Sequence, residues 1–221
     1  MKKLFITLLI LVSVSSFAQN HLLGVQFGLN SSSLYGKHVD DNAGFIQTIS
    51  AGLTYDYKMK NGILLGSGLL YERKGFLNEF NYLTMEYNLA FGFPGSKVNY
   101  NYLEIPLKAG YQIGKKWTGY FYLGLVPAYL LDANYKRIEQ AGPFDTEAEV
   151  KYDITDEINR FELSGLFEVG SAYMLNDKWA LFVNASYLLG LTPVDKDSVI
   201  PHMKNHRFNI SLGIKYALKS E

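Results

Sequence analysis

The fold is decided by the stretch Phe208-Asn209-Ile210-Ser211-Leu212-Gly213-Ile214-Lys215-Tyr216-Ala217-Leu218. Bulky apolar residues alternate there with polar or small ones. Successive side chains of a β-strand point to opposite faces, so this period of two predicts a strand with one apolar and one polar face.

The same period recurs along the chain. We predict strands at residues 22–31, 43–58, 62–75, 99–113, 117–131, 160–175, 178–190 and 206–219. The segments 62–75 and 117–131 alternate less cleanly, but they are rich in Gly and strand-forming residues and show no helical period.

Short and long connections alternate strictly between these strands. The short ones lie at 58–62, where Asn61-Gly62 is a hairpin signature, at 114–116 and at 176–178. The long ones span residues 32–42, 76–98, 132–159 and 191–205. Outer-membrane barrels have short periplasmic turns at one rim and long outer loops at the other. The sequence therefore predicts an all-β, eight-stranded antiparallel up-and-down transmembrane β-barrel.

The beginning of the chain predicts export. Lys2 and Lys3 precede an apolar run at residues 4–14, and Ser16-Phe17-Ala18 has small residues where a signal peptidase cleaves. We expect a signal peptide at residues 1–18, a barrel domain at 19–221 and a location in the outer membrane of a Gram-negative bacterium.

Composition narrows the chemistry. The absence of cysteine excludes disulfides, thiolate metal sites and a lipidated N-terminus. The 21 basic and 21 acidic residues balance, so no basic field predicts nucleic acid as a partner. Aromatic residues make up 15% of the chain, as expected for strands and for the aromatic girdles of membrane barrels.

The polar faces of the strands carry charges of both signs. We expect an inward-facing polar network of Glu72, Glu104, Lys108, Glu162, Glu168, Arg207 and Lys215. The interior of an eight-stranded barrel is only wide enough for side chains, and buried charges must pair. The pattern favours a plugged interior over an open pore. A soluble barrel with the faces reversed is the alternative. Against it stand the sorted loops and the aromatic residues near strand ends, such as Trp117 and Trp179.

Two groups of side chains could carry chemistry. His202 and His206 lie near Ser198, Asp195 and Asp197, as a hydrolase acting on lipid would need, but the pattern favours a polar outer loop. The acidic loop 132–159 could hold calcium or be solvated, and its partial alternation at 147–154 is compatible with an added hairpin. We expect no cofactor, no metal and no enzymatic activity.

The segment Tyr102-Leu103-Glu104-Ile105-Pro106-Leu107 resembles the fourth strand of the PorT-like outer-membrane β-barrel family, and the ending at 213–218 is similar too. The resemblance implies a small eight-stranded outer-membrane protein and no defined activity. Proline removes a ladder donor, so we expect a bulge or irregularity at Pro106.

These observations favour a non-enzymatic surface-interaction or scaffold protein, expected to be a monomer. It would contact outer-membrane lipid and could bind a protein partner through the loops 76–98 and 132–159, the first of which is rich in aromatic residues. A narrow channel, a soluble periplasmic ligand-binding barrel and a rim enzyme acting on lipid remain alternatives.

Overall fold

The computed structural model describes residues 21–36, 43–78, 96–139, 148–196 and 203–218. They form one antiparallel sheet of eleven strand segments. The segments are β1 His21–Tyr35, β2 Ala43–Gly44, β3 Ile46–Lys58, β4 Ile63–Asn78, β5 Ser96–Glu104, β6 Leu107–Gly114, β7 Trp117–Glu139, β8 Ala148–Asp153, β9 Phe161–Met174, β10 Trp179–Gly190 and β11 Lys204–Leu218. A short 3-10 helix at Thr155–Glu157 connects β8 to β9.

The sheet closes on itself. β1 pairs with β3 on one side and with β11 on the other, so the first and last strands meet. From β3 the ring continues through β4, then through β5 and β6, and on to β7, β9, β10 and β11. A closed ring leaves no free edge along these strands, which lets every ladder group find a partner.

The eleven segments outnumber the eight predicted strands because the predicted strands 43–58 and 99–113 are each divided and β8 is additional. β5 and β6 both pair with β4 and with β7, so they lie end to end in one position of the ring. The interruption is at Ile105–Pro106, where proline has no N–H to donate. Ile105 N–H donates to Pro127 O at 3.0 Å. The irregularity expected at Pro106 is therefore present, and a further register shift lies at Asn101–Tyr102.

The predicted loop 132–159 is largely ordered as strand. β7 continues to Glu139, and β8 pairs with its final residues in register Tyr135 to Tyr152 and Lys136 to Lys151. The suggested hairpin is therefore present. Residues 79–95, most of the aromatic loop 76–98, lie outside the described residues, as does the predicted signal peptide 1–18.

Three short turns join strands at one rim, which we call the short-turn rim. Gly62 has φ of +89° and Gly114 has φ of +96°, a region that residues with a Cβ rarely enter. In the third turn the side chain of Asn176 accepts hydrogen bonds from the backbone N–H groups of Lys178 and Trp179, both at 2.9 Å. The opposite rim carries the long connections.

The alternating strands sort their side chains between two environments. Outward residues are large and apolar, and Leu212 keeps 66% of its surface exposed whereas Arg207, on the same strand, keeps 2%. An apolar exterior with a polar interior is the arrangement of a barrel surrounded by lipid. No helix among the described residues is long and apolar enough to cross a membrane.

Candidate functional site: the filled barrel interior

Near the short-turn rim, four charged side chains form what we call the lower ion cluster: Asp56, Lys108, Glu168 and Lys215. Lys215 Nζ lies 2.7 Å from Asp56 Oδ2, and Lys108 Nζ lies 2.7 Å from Glu168 Oε1. Tyr122 donates its hydroxyl proton to Asp56 Oδ1 at 2.8 Å. Each cation is therefore matched by one carboxylate, as buried charges require.

Aromatic rings fill the space around the lower ion cluster. Lys108 Nζ lies 4.4 Å from the ring centroid of Tyr122, and Lys215 Nζ lies 4.4 Å from that of Phe182. Tyr120 donates a hydrogen bond to Asn184 Oδ1. Cations over ring faces gain electrostatic stabilisation without admitting water. The cluster therefore blocks the interior as well as balancing its own charge.

Towards the long-loop rim lies the upper ion cluster, made of Glu72, Lys74, Glu104, Glu162 and Arg207. Lys74 Nζ bridges Glu104 Oε1 and Glu162 Oε1, both at 2.7 Å. Arg207 bridges Glu72 Oε2 at 2.8 Å and Glu104 Oε2 at 3.0 Å. Two cations thus hold three carboxylates in a continuous chain.

Amides complete the upper ion cluster. Asn30 donates to Glu72 Oε2 at 2.9 Å, and Asn205 donates to Glu162 Oε2 at 2.6 Å. Asn209 in turn donates to Asn30 Oδ1 at 2.6 Å. Asn205 thus satisfies the Glu162 oxygen that Lys74 does not contact, and Asn30 adds a second donor to the Glu72 oxygen that Arg207 contacts.

Between the two clusters lies an apolar waist of Val126, Leu166 and Leu188, which sit on the neighbouring strands β7, β9 and β10. A cavity of about 30 Å³ lies beside it, lined also by Thr54, Glu72 and other polar side chains. A cavity of that size has room for about two water molecules. The described part of the interior therefore contains a small polar chamber between two charged layers.

The long-loop end of the interior is closed by an apolar cap. Its buried members are Leu34, Val98, Tyr100, Tyr102, Ala128, Leu130, Ala133, Tyr135, Ile154, Ile158 and Val194. The segment that follows β8 lies across this end, and Asn159 N–H donates to Val194 O at 2.8 Å to hold it there. The cap covers the upper ion cluster and separates it from the long loops.

The structure places all seven residues of the predicted polar network in the interior. Glu72, Glu104, Glu162 and Arg207 lie in the upper ion cluster, and Lys108, Glu168 and Lys215 in the lower one. The sequence motif Tyr102-Leu103-Glu104-Ile105-Pro106-Leu107 crosses this region: Tyr102 belongs to the cap and Glu104 to the upper ion cluster.

Sequence reasoning missed Lys74 and the apolar cap. Lys74 is two residues from Glu72 on the same strand, so its side chain points to the same face. This spacing could have identified Lys74 as a member of the inward polar network. The cap could not be read from alternation, because its inward residues are as apolar as the outward residues of other strands.

The other suggested chemical groups are partly described. His206 packs its ring against Tyr35 and Phe45, with centroids 5.8 and 5.4 Å away. Asp195 lies at a bridge with Ile158. Ser198, His202 and Asp197 fall outside the described residues.

The acidic loop shows mainly local pairing. Glu149 pairs with Lys136, Asp156 with Arg160, and Asp132 accepts from Asn101 at 2.9 Å. Among the residues that the structure describes, no group of three or more His, Cys, Asp and Glu side chains is arranged to hold a metal ion.

A closed sheet with an apolar exterior and a charged interior is found in outer-membrane barrels, and sequence comparison agrees. Residues 17–196 match the family described as an outer membrane protein beta-barrel domain. The chain belongs to this family of outer-membrane β-barrel proteins. Its location is accordingly the Gram-negative outer membrane. No curated protein matches it.

Solved structures of other outer-membrane proteins are similar to this barrel. Neisserial surface protein A is 12% identical, with a TM-score of 0.50 over 88% of this chain and 96% of that one. OprG from Pseudomonas aeruginosa is 14% identical, with a TM-score of 0.47 over 90% and 95%. Ail from Yersinia pestis, solved in complex with a heparin analogue, is 12% identical with a TM-score of 0.42 over 89% and 99%. At these identities the likeness concerns the fold.

Proposed function

We propose that this outer-membrane barrel is a closed, non-enzymatic protein that acts through contacts at its long-loop rim. The observation that carries the proposal is the filled interior: two ion clusters, an apolar waist and an apolar cap lie in series along the barrel axis. A barrel with a filled interior serves as a membrane anchor for the segments that it holds outside the lipid. The working surface is then outside the lipid, on the segments that extend past it.

Strand β7 provides that extension. Leu131 is the last exposed apolar residue among the side chains that the structure describes on it, and the eight residues Asp132–Glu139 follow. At about 3.3 Å rise per residue and a tilt of about 40°, eight residues extend about 20 Å further along the barrel axis. The neighbouring strands β5 and β8 pair with this part of β7 and widen it into a three-stranded surface.

The outward side chains of this extension suit water rather than lipid. Lys97, Lys136 and Lys151 lie opposite one another on β5, β7 and β8, and Asn99 lies opposite Asn134. Lys136 forms an ion pair with Glu149. A polar three-stranded surface standing clear of the membrane is a suitable contact area for a protein partner at the cell surface.

Several finer features belong to the proposal. The barrel crosses the membrane with eight strands. In this count β5 and β6 together form one strand, and β2 and β8 are short segments that do not cross. The short-turn rim faces the periplasm, the protein is a monomer exported by a cleaved signal peptide, and it is a member of the PorT-like group of small outer-membrane barrels. The arrangement of short turns and long loops at opposite rims supports this orientation.

A narrow pore is the second candidate, favoured by the polar chamber of about 30 Å³ between the ion clusters. Planar-bilayer recording separates the two. We expect the closed barrel to give no steady openings, either as the native chain or with Val126→Ser at the waist. Steady openings of the native chain would establish the pore, whereas openings confined to Val126→Ser would show that the waist closes the native barrel.

Orientation has its own test, which the absence of cysteine makes direct. Single cysteines at Lys151 and at Lys116 are treated in intact cells with a membrane-impermeant maleimide. Labelling is expected at Lys151 alone. Labelling at Lys116 alone would reverse the orientation and remove the working surface from the cell exterior.

A further inference from the structure

The three short turns carry a concentration of unpaired positive charge. Five lysines lie on them: Lys58, Lys60, Lys115, Lys116 and Lys178. The same turns contain one acidic residue, Asp177, so the local surplus is four charges although the chain as a whole is neutral. No ion pair involves any of these lysines among the residues that the structure describes. We call this surface the lysine rim.

The lysine rim lies directly beside an aromatic belt. Lys116 precedes Trp117, Lys178 precedes Trp179, and Lys58 follows Tyr57. Trp117 packs against Tyr173 with ring centroids 5.5 Å apart, and Lys116 Nζ lies 5.5 Å from the Tyr173 centroid. Tyrosine and tryptophan at a membrane boundary sit at the depth of the lipid headgroups. The ammonium groups therefore lie at the depth of lipid phosphates.

We propose that the lysine rim binds the phosphate groups of anionic phospholipids in the leaflet that it faces, phosphatidylglycerol being the simplest. This rests on the orientation given under Proposed function, which puts the rim at the inner leaflet. The exposed lysines Lys97 and Lys151, at the long-loop end, do not form an equivalent surface. With Lys136 they place three positive charges on one face, where Glu149 and Asp153 leave a surplus of one.

The expected strength follows from surface electrostatics. A lysine near an anionic leaflet favours the anionic lipid by about fivefold in partition, and the effect falls off within about 8 Å at physiological ionic strength. Five lysines around one rim should therefore enrich anionic lipid in the first shell of lipids, and high salt should remove most of that enrichment.

The two tryptophans of the chain, Trp117 and Trp179, make this measurable because both lie on this rim and remain 68% and 40% exposed. The barrel is folded into phosphatidylcholine vesicles containing a minor fraction of either brominated phosphatidylglycerol or brominated phosphatidylcholine. Bromine quenches tryptophan on contact. We expect stronger quenching by the brominated phosphatidylglycerol, and a loss of the difference at about 1 M salt, where the screening length is about 3 Å.

Charge variants show which residues are responsible. The variant K58Q/K60Q/K115Q/K116Q/K178Q should quench equally with both brominated lipids, and the corresponding five arginine substitutions should retain the preference. K97Q/K151Q, at the other end of the barrel, is the control and should behave as the native chain does. Heat-modifiable migration on gels establishes that each variant is folded.

Equal quenching by the two lipids in the native chain would overturn the inference, as would a preference that survives the five glutamine substitutions. Salt-sensitive, lysine-dependent sedimentation with purified peptidoglycan, without any lipid preference, would also overturn it and assign the rim to the cell wall. If maleimide labelling reverses the orientation while the lipid preference persists, the orientation fails and the lipid site remains.

Discussion

Removing Lys74 should be among the most damaging single changes in this barrel. Its ammonium group lies 2.7 Å from both Glu104 and Glu162 and 4.6 Å from the ring centroid of Tyr102, and only 1% of the side chain is exposed. Lys74→Met keeps most of the volume and removes the charge. Three carboxylates then share one guanidinium, that of Arg207, in a region closed to water by the apolar cap.

The magnitude follows from the arrangement. Breaking a buried ion pair by removing one partner costs about 3–5 kcal/mol, because the other charge stays buried without compensation. Glu72→Gln should behave in the opposite way. It removes one of the three carboxylates that share two cations, and the glutamine oxygen can still accept from Arg207 and Asn30. We expect it to change the free energy of unfolding by less than about 1 kcal/mol.

Denaturant unfolding of the barrel in lipid vesicles, followed by tryptophan fluorescence and by heat-modifiable migration, measures both variants. The double variant K74M/E162Q should recover part of the loss, since it removes a carboxylate along with its cation. The reasoning fails if Lys74→Met unfolds within about 1 kcal/mol of the native chain, or if Glu72→Gln is as damaging as Lys74→Met.

Three further outcomes are expected. Leu123→Arg, on the lipid-facing side of β7, should cost about 2–4 kcal/mol in vesicle unfolding, and Leu123→Ile should cost much less. Gly114→Ala should cost at least about 1 kcal/mol in the same assay, because Gly114 has φ of +96° and an added Cβ would lie 2.2 Å from Trp117 O. Lys136 lowers the pKa of Glu149 through a hydrogen bond and its charge, so the pair's contribution is present above the ordinary glutamate pKa and is lost as pH falls through the lowered one. Protection factors from hydrogen exchange at the end of β7 and in β8, corrected for the intrinsic exchange rate at each pH, should therefore fall on acidification below about pH 4 in the native chain and much less in Glu149→Gln.

The sequence predicted the faces of the strands well where alternation is strict. Phe208 and Leu212 lie outward on β11, and Arg207 and Lys215 lie inward, as a period of two requires. This success has a simple physical basis. Lipid and the packed interior demand opposite polarity, and a one-residue shift would exchange the two sets of side chains.

The part of β4 before Glu72 shows where the pattern is insufficient. It contains Gly66 and Gly68, and its inward residues Leu64 and Leu70 are apolar, so polarity does not mark the face. An added Cβ at Gly66 would lie 2.8 Å from both Asp56 Oδ1 and Lys108 Cε, which explains the glycine by crowding from other strands. The requirement for glycine at position 66 depends on residues about ten and forty positions away, so it produces no local periodicity in the sequence.

The apolar cap could not be predicted because the polarity of the inward and outward side chains changes part-way along the strands. Below Asn101 the outward residues of β5 and β7 are apolar, as Leu123 is, and β5 places the charge of Glu104 inside. Above it the inner residues are apolar, such as Val98 and Tyr135, and the outer ones are polar, such as Lys97 and Lys136. The interruption of the ladder at Asn101–Tyr102 and Leu130–Asp132 is where the two patterns meet.

This inversion locates the edge of the membrane. A strand in lipid must present apolar side chains outward, and a strand in water must bury them, so the same β-ladder reverses its polarity where the solvent changes. Outward Arg73 donates to Asn101 at 2.9 Å and Asn101 donates to Asp132 at 2.9 Å, a polar row suited to the headgroup region. The upper ion cluster then lies just inside the lipid boundary, and the apolar cap crosses that boundary, with Tyr102 and Ala128 on its lipid side and Val98 and Tyr135 beyond it. The cap is thus the core of a small water-exposed β-structure built on the barrel, and the same residues that stabilise that structure also keep water away from the buried charges beneath.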